Sequence, residues 1–466
     1  MLFSGIPFLY YFLPLALILY FIAPRKLRNT VLLLISLVFY GWGEPKYVVL
    51  MTASIIIGYV SGLMIEAFNS KGAKKAVMIS SVAVNLGFLA YFKYSNFFIE
   101  NFNNIFGLSV PAIKIALPIG ISFYTFQILS YTVDVYRGGV RAQRNLVNLA
   151  AYISFFPQLI AGPIVRYSDI ESELTERRES FEGFACGMRR FVLGLGKKIL
   201  IANLLGELCD IFKASGDKSV LFYWLYAVAF ALHIYFDFSG YSDMAIGLGR
   251  LFGFHFPENF NYPYISKSIT EFWRRWHMSL GTWFRDYVYI PLGGNRCSRP
   301  RQFFNIFVVW MLTGFWHGAA WNFVVWGLYF AVMLVIEKTF LLKYLEKSKV
   351  LSRIYTAFFL IISFVIFNAA DMREAFSYIA AMFGAGDIPF ISREFVYYLR
   401  DYAVVLVIAA LGATPLVKNI FAKLRENSTA EKITDILEPA ALVCLMLVMT
   451  AYLVDGSFNP FLYFRF

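Results

Sequence analysis

A histidine stands in an apolar part of this sequence, where an ionisable group is unusual. His317 lies in TGFWHGAAWNFVVWG, residues 313–327. Burial disfavours the charged form of an imidazole, and a neutral imidazole is what a general base requires. Asn322 supplies an amide nearby, and Gly318 allows backbone or substrate to approach closely. Three tryptophans are predicted to line a tunnel there: Trp316, Trp321 and Trp326. The alternative is a histidine that only fills the core.

A second histidine, His277, follows an aromatic and basic sequence within SITEFWRRWHMSLGTWFRDYVYIPLGGNR, residues 268–296. This composition is typical of a helix that lies in the membrane interface. Ser268 or Thr270, before Glu271, indicates the start of the helix. We therefore predict a surface helix whose basic residues contact lipid headgroups, a role that does not explain the histidine. The basic residues are Arg274, Arg275 and Arg285.

Two carboxylates, Asp237 and Asp243, lie in ALHIYFDFSGYSDMAIGLG, residues 231–249, near one end of an aromatic-rich span. Carboxylates near the membrane are costly unless they are paired or hydrated. We therefore expect a polar cavity or a contact with the arginine-rich segment, and we predict that both aspartates line the tunnel. Two carboxylates can also carry out acid–base chemistry. The simpler alternative is that they bond backbone groups freed at Gly240.

The composition places these residues in a membrane protein. Of 466 residues, 59% are hydrophobic and 15% are charged, whereas soluble domains carry about 25% charged residues. The mean hydropathy is +0.61. Apolar runs close to the roughly 20 residues that span a bilayer recur throughout the chain. We predict spans near residues 6–22, 30–42, 47–68, 75–92, 115–135, 191–212, 220–238, 354–370, 402–417 and 437–454, and two shorter helices within 303–335 that meet near Gly318.

Lysine and arginine are distributed unevenly between the predicted loops. With the N-terminus outside, 33 of the 42 basic residues lie on the cytoplasmic side and nine lie outside. The positive-inside rule predicts this asymmetry, so the net charge of +12 does not indicate a nucleic-acid partner. Both termini are then extracytoplasmic. The first span lacks the basic start and the cleavage site of a signal peptide, so we expect it to be retained.

Two further features bear on the organisation of the chain. LAAYISFFPQLIAGPIVRY, residues 149–167, is apolar but is broken by Pro157 and by Gly162–Pro163, which predicts a re-entrant hairpin, with a kinked span as the alternative. The four cysteines are dispersed and indicate neither disulfides nor a metal site: Cys186, Cys209, Cys297 and Cys444. Without a linker or a low-complexity tract, residues 1–466 are expected to form a single integral membrane domain.

Several long motifs resemble those of the membrane-bound O-acyltransferase (MBOAT) family, and in particular its bacterial alginate O-acetyltransferase branch. They are LPIGISFYTFQILSYTVDVYRG, FFPQLIAGPIVRY, YFDFSGYSDMAIGLGRLFGFHFPENFNYPY, EFWRRWHMSLGTWFRDYVYIPLGGNR and TGFWHGAAWNFVVWG. The likeness runs from the first predicted span to the closing NPFLYFRF, residues 459–466. The resemblance implies an all-α polytopic fold, a ring of about 10–12 transmembrane helices with re-entrant segments around a central funnel.

The resemblance also implies two functional histidines, His317 in the W-H-G motif and His277 in the R-x-W-H-M-S-L motif. His317 would remove the proton of an acceptor hydroxyl as it attacks the donor carbonyl, help that is typically worth about 10²–10⁴ in rate. His277 or Asn322 would orient the donor or stabilise the oxyanion. Four residues are candidates for donor binding, although lipid headgroups explain the basic ones equally well: Arg274, Arg275, Trp276 and Arg285.

The same resemblance implies substrates and partners. The donor is expected to be an acyl-CoA or acyl-carrier thioester, with no bound cofactor, at the cytoplasmic membrane of a bacterium. In the alginate-type branch the group is acetyl, and an extracytoplasmic acetyltransferase completes transfer to the polysaccharide. A D-alanyl transferase of teichoic acid synthesis is the alternative. A polysaccharide or ion transporter is a remote one, because its inverted repeats with matching broken helices are not visible in the sequence.

Overall fold

The computed structural model describes residues 2–456 and 461–462, which are helical and contain no β-strand. The all-α class predicted from the sequence is confirmed. Of the closing NPFLYFRF, only Phe461 and Leu462 are among the described residues. Contacts group the chain into two compact units, Met1–Phe191 with Ser242–Pro257, and Val192–Tyr241 with Glu258–Phe466. Two helices, Phe181–Gly196 and Val220–Leu251, contribute residues to both units.

The first unit is organised around the helix Ile121–Arg137, which is buried along almost its whole length. This helix packs against Val48–Ala67 and Lys71–Leu89. The segment predicted as a span from residue 115 is therefore a core helix that begins at Ile121. The remaining helices of the unit are Leu13–Ile22, Arg28–Gly43, Ser95–Phe106, Leu146–Ser154, Phe156–Leu159 and Tyr167–Glu176, with π-helical turns at Phe8–Phe12 and Ala90–Tyr94.

The predicted break within residues 149–167 is present and lies inside the first unit. Helix Leu146–Ser154 is followed by the single turn Phe156–Leu159, in which a proline occupies the first turn, where its missing N–H is not needed. The freed Phe156 N–H donates to Ser36 Oγ at 3.2 Å. Every residue from 149 to 165 is buried. The break is therefore enclosed in protein, as a break at membrane depth requires.

The second unit carries both candidate histidines. The helix Trp321–Ile336 packs against Arg299–His317 and Lys349–Asn368. The other elements of the unit are Lys197–Ala202 (π-helical), Asn203–Ala214, Ile269–Trp273, Met278–Phe284, Arg285–Tyr289 (π-helical), Glu337–Leu341 (π-helical), Leu342–Leu345, Met372–Met382, Arg393–Asp401, Ala403–Gly412, Leu416–Arg425 and Ser428–Asp455.

Six of the described helices are long and apolar enough to cross a membrane, and a bent pair, Arg393–Asp401 with Ala403–Gly412, is a further candidate. The six are Pro45–Ala67, Lys71–Phe106, Val220–Leu251, Trp321–Leu345, Lys349–Asn368 and Ser428–Asp455. Phe8–Ile22 is a shorter apolar helix, and the predicted span 191–212 lies within three consecutive helical stretches, Phe181–Gly196, Lys197–Ala202 and Asn203–Ala214. The protein is therefore a multi-pass membrane protein.

The aromatic and basic segment 268–296 is not the single surface helix that its composition predicted. Helix Ile269–Trp273 begins at Ser268, whose hydroxyl accepts a first-turn N–H at 2.9 Å, so the predicted start is confirmed. A second helix, Met278–Phe284, begins after His277. His277 has a φ of 45°, a left-handed conformation that does not continue an α-helix. Its side chain is only 1% exposed, so packing decides the backbone here.

The apolar run within residues 303–335 forms two helices, as predicted. Arg299–His317 ends at the histidine, and Trp321–Ile336 runs back along it. The two helix backbones can approach closely because Gly327 has no side chain. A Cβ at this position would lie 2.2 Å from the Trp310 carbonyl oxygen. The junction therefore holds His317 at a defined point between two tightly packed helices.

The asymmetry of basic residues makes a testable prediction about orientation. Gly216, Asp387 and Ser298 are exposed in the structure. If the positive-inside rule sets the topology, a membrane-impermeant maleimide added to intact cells labels Gly216→Cys and Asp387→Cys but not Ser298→Cys. Permeabilised cells are the control, in which all three positions react. Labelling of position 298 alone in intact cells would reverse the orientation.

Candidate functional site

The second unit contains a small, partly open cavity. Its wall is largely aromatic and aliphatic, and one carboxylate and one imidazole are its ionisable groups. Pockets that bind small molecules usually combine an apolar lining with a few polar groups. Besides Asp237 and His317, the lining includes Trp276, Trp326, Phe367 and Leu462.

His317 reaches this cavity from the end of its helix and is 6% exposed. Its ring centroid lies 5.0 Å from that of Trp316, 5.2 Å from that of Trp326 and 5.5 Å from that of Phe367. These rings and the low exposure of the side chain separate the imidazole from bulk water. The space beside Gly318, which the sequence suggested for substrate, is filled by Phe323, whose ring would lie 2.2 Å from a Cβ at that glycine.

His277 is held in one tautomer by a buried asparagine. Its Nδ1 lies 3.1 Å from Asn259 Oδ1, which also accepts the backbone N–H of Ser279 at 3.3 Å and its hydroxyl at 2.9 Å. Because Oδ1 is an acceptor, Nδ1 carries the proton and Nε2 presents a lone pair. Burial lowers the pKa of His277 to about 3. The residue is therefore a neutral hydrogen-bond acceptor, and within the described ranges no group bonds its Nε2.

The structure brings the two histidines into one aromatic cluster. The Trp316 ring lies between them, with its centroid 6.0 Å from that of His277 and 5.0 Å from that of His317. Phe238, which lines the cavity, meets the His277 ring edge-on at 4.7 Å. His317 thus lies in the cavity wall, whereas His277 lies one side chain behind it.

Asn322 is committed to a neighbouring helix. Its amide nitrogen lies 3.0 Å from the Ala369 carbonyl oxygen and 3.4 Å from that of Phe367, at the end of Lys349–Asn368. Both contacts use the amide hydrogens, which are the groups that an oxyanion would need. In this arrangement Asn322 fixes the end of a helix, and an oxyanion role would require these contacts to break.

The two aspartates are in different environments. Asp237 is fully buried in the cavity wall, where Lys198 Nζ lies 2.6 Å from its Oδ1 and the Leu462 N–H donates to its Oδ2 at 2.8 Å. Asp243 belongs to the first unit and forms an ion pair at 2.8 Å with Arg190 of helix Phe181–Gly196, not with an arginine of segment 268–296. The two carboxylates therefore do not form an acid–base pair.

The remaining candidates divide between the wall of the cavity and the surface. Trp276 is 4% exposed and lines the cavity, whereas Trp321 is 56% exposed and does not. The exposure of Trp321 follows from its position at the start of a helix, facing away from the packed partner. The three arginines lie outside the cavity: Arg274 is exposed, Arg275 pairs with Glu271 at 2.9 Å, and Arg285 pairs with Asp286 at 2.7 Å.

Sequence reasoning missed two residues that shape the site. Asn259 carries no signal beyond its place in PENFNYPY. Lys198 had a weak signal, a lysine at the start of the apolar run KILIANLL, but it was counted among the cytoplasmic charges. In the described part of the chain, no group of three or more His, Cys, Asp or Glu side chains is arranged to hold a metal.

Helices able to span a membrane, together with a buried imidazole at an apolar cavity, define an integral membrane protein with an enclosed acid–base group. The family to which this chain belongs is that of the membrane-bound O-acyltransferases, whose sequence model matches residues 138–370. The protein is therefore an O-acyltransferase.

Relatives of known name extend the match beyond that region. A probable alginate O-acetylase AlgI of Azotobacter vinelandii is 40% identical over 500 residues, which cover 100% of both chains. The peptidoglycan O-acetyltransferase of Helicobacter pylori is 32% identical and covers 83% of this chain and 81% of its own. The teichoic acid D-alanyltransferase of Bacillus subtilis is 31% identical over 55% of this chain and 70% of its own.

The hydrogen bond between His277 and Asn259 predicts that a substitution of Asn259 lowers activity, although Asn259 does not line the cavity. Asn259→Ala removes the acceptor of three hydrogen bonds, so the His277 ring loses its fixed tautomer and orientation. Acyl transfer is expected to fall about tenfold or more, since each buried unpaired donor costs roughly 1–3 kcal/mol. Transfer is measured on purified protein in lipid vesicles. Asn261→Ala, an exposed asparagine two residues away, is the control, and an equal effect of both changes would contradict the prediction.

Proposed function

We propose that the protein moves an acetyl group from a cytoplasmic thioester, an acyl-CoA or acyl-carrier, toward hydroxyls of an extracytoplasmic polysaccharide. A partner acetyltransferase outside the bacterial cytoplasmic membrane completes the transfer. Relatives named as alginate O-acetylase and peptidoglycan O-acetyltransferase support the acetyl group and the glycan. The observation that carries the proposal is a buried imidazole, His317, in the wall of a cavity within a membrane protein.

The proposed step is an acyl transfer in which His317 is the general base. The acceptor oxygen attacks the thioester carbonyl carbon, a carbon–oxygen bond forms and the carbon–sulfur bond breaks. The imidazole takes the hydroxyl proton and passes it to the departing thiolate, so it begins and ends neutral. An apolar wall keeps water from competing as the acceptor.

The oxygen of the carbonyl group needs a hydrogen-bond donor as it gains charge. Trp326 lines the cavity, and its ring centroid lies 5.2 Å from that of His317. Its buried indole N–H meets no acceptor in the part of the chain that the structure describes. We assign this N–H to the carbonyl oxygen. His277 lies one side chain behind the cavity wall, so we assign it an indirect role, the positioning of Trp316, whose ring contacts both imidazoles.

The alternative is transfer of D-alanine from a carrier-protein thioester. The similarity to a teichoic acid D-alanyltransferase over 55% of this chain favours it, but the acetylases match more of the chain. Acetyl-CoA and a D-alanyl carrier protein, offered separately to the reconstituted protein, discriminate between the two. Release of free thiol from only one donor identifies the acyl group.

His317→Gln and His317→Ala are expected to abolish acyl transfer, a loss of about 10²-fold or more, because neither side chain can take up the proton. Acetyl incorporation is measured with protein in lipid vesicles and normalised to folded enzyme. His255→Gln is the matched control, since that side chain is exposed and paired with Glu173. Wild-type transfer by a well-folded His317→Gln variant would remove the base from the mechanism.

The arginines of segment 268–296 test the side on which the donor enters. If they receive donor phosphates, Arg274→Gln combined with Arg275→Gln raises the donor KM, and the difference from the wild type narrows as salt screens the exposed charges. Steady-state kinetics at two ionic strengths measure both effects. Arg425→Gln, at an arginine paired with Asp435, is the control. An unchanged KM with a lower membrane yield would mean that the two arginines serve only as lipid anchors.

A further inference from the structure

The acyl-transfer step proposed above makes no use of the buried ion pair in the second unit. Lys198 Nζ lies 2.6 Å from Asp237 Oδ1, and the two side chains are 2% and 1% exposed. Asp237 lines the same cavity as His317. The pair therefore lies at the site without a part in the chemistry.

The backbone of the second unit is arranged so that these two side chains meet. Lys198 lies in the π-helical stretch Lys197–Ala202, and Asp237 lies on the neighbouring helix Val220–Leu251. The two helices approach closely because Gly240 has no side chain. A Cβ there would lie 2.8 Å from the carbonyl oxygen of Gly194, near the end of the preceding helix Phe181–Gly196, and 3.2 Å from the Lys198 backbone nitrogen. The lysine side chain therefore starts beside the helix that carries the carboxylate.

Stability alone does not account for the pair. Taking two charges out of water is costly, and a buried pair is often no more stable than well-packed apolar residues of the same volume. Ionisable residues inside membrane proteins usually mark function and have an identifiable partner. The second carboxylate oxygen of Asp237 has a further partner. Oδ2 of Asp237 accepts the backbone N–H of Leu462 at 2.8 Å.

Leu462 and Phe461 are themselves part of the cavity wall. The Phe461 ring packs between aromatic residues of the helix that carries Asp237, with its centroid 5.9 Å from that of Phe238 and 4.8 Å from that of Tyr241. A hydrogen bond to a carboxylate is about twice as strong as one between neutral groups. One oxygen of Asp237 thus meets the lysine, while the other ties a segment 225 residues away to the site.

We propose that Asp237 and Lys198 are positioning residues that hold residues 461–462 in place as one wall of the acyl-transfer cavity. This rests on the function proposed above, because it assigns the wall to that reaction. With the wall in place, the acceptor hydroxyl meets the thioester and bulk water is kept out. When the wall is released, water attacks the carbonyl carbon instead, the carbon–sulfur bond breaks, and the products are a carboxylic acid and a free thiol.

The first experiment compares transfer with hydrolysis in four variants of the reconstituted protein, using acetyl-CoA as the donor. Asp237→Asn keeps the size of the side chain without its charge, and Lys198→Met keeps its length. Leu462→Pro removes the N–H, whereas Leu462→Ala retains it and reports the loss of the side chain alone. The ratio of transfer to hydrolysis is expected to fall about tenfold or more in the first three variants, and less in Leu462→Ala. Equal ratios for Leu462→Pro and Leu462→Ala would overturn the proposal.

The second experiment measures the accessibility of position 462 and does not depend on activity. Leu462→Cys keeps the backbone N–H, and its labelling by a small thiol reagent is followed by peptide mass spectrometry. Adding Asp237→Asn is expected to speed labelling several-fold; an unchanged rate would contradict the positioning role. In a His317→Gln background, labelling is expected to stay slow although transfer is lost. The experiment therefore distinguishes failure of the proposed base from failure of the proposed wall. Should Asp237→Asn not fold, Leu462→Pro still decides, because it leaves the ion pair intact.

Discussion

The lack of water inside a membrane protein is the constraint on which the rest of this structure depends. Every polar or ionisable group in such surroundings needs a partner from the protein, or it must stay neutral. The site shows both solutions. His277 is neutral and bonded to Asn259, whereas Asp237 forms an ion pair with Lys198. The same rule governs the backbone, where Ser36 bonds the N–H that the break at Phe156 sets free.

Both histidines occupy positions at which a helix is interrupted. His317 is the last residue of its helix, and His277 takes a left-handed conformation just before the next helix begins. The two breaks bring both imidazoles to the same tryptophan, Trp316, whose ring centroid lies 6.0 Å from that of His277 and 5.0 Å from that of His317.

The wall of the cavity combines residues that are far apart in the chain. Helix Val220–Leu251 contributes Asp237 to the wall, and the end of helix Arg299–His317 contributes the imidazole of His317. Leu462 comes from near the end of the chain and is bonded through its backbone. An O-acyltransferase must bring an acyl donor and a hydroxyl together while it keeps water away from both. A wall assembled from several segments meets this requirement only if each segment is fixed in place.

The sequence by itself determined the class of protein and the local breaks in its helices. Bilayer thickness sets the length of apolar runs, and cap and turn preferences are local, so the start at Ser268 and the junction near Gly318 were both predictable. The motifs around the histidines identified the family. Only the tertiary structure decided that segment 268–296 forms two helices. Burial of the His277 ring there outweighs the amphipathic composition of the segment, which by itself favours one surface helix.

The partners of the buried polar groups were also decided by the tertiary structure alone. Composition counts Lys198 with the cytoplasmic charges, but close packing at Gly240 brings it to Asp237. A tryptophan or an amide near a histidine in sequence also need not face it in space: Trp321 points outward, and Asn322 holds the end of a helix. The physical reason is that a local pattern fixes the axis of a helix. Which side of that helix meets the cavity depends on packing against segments far away in the chain.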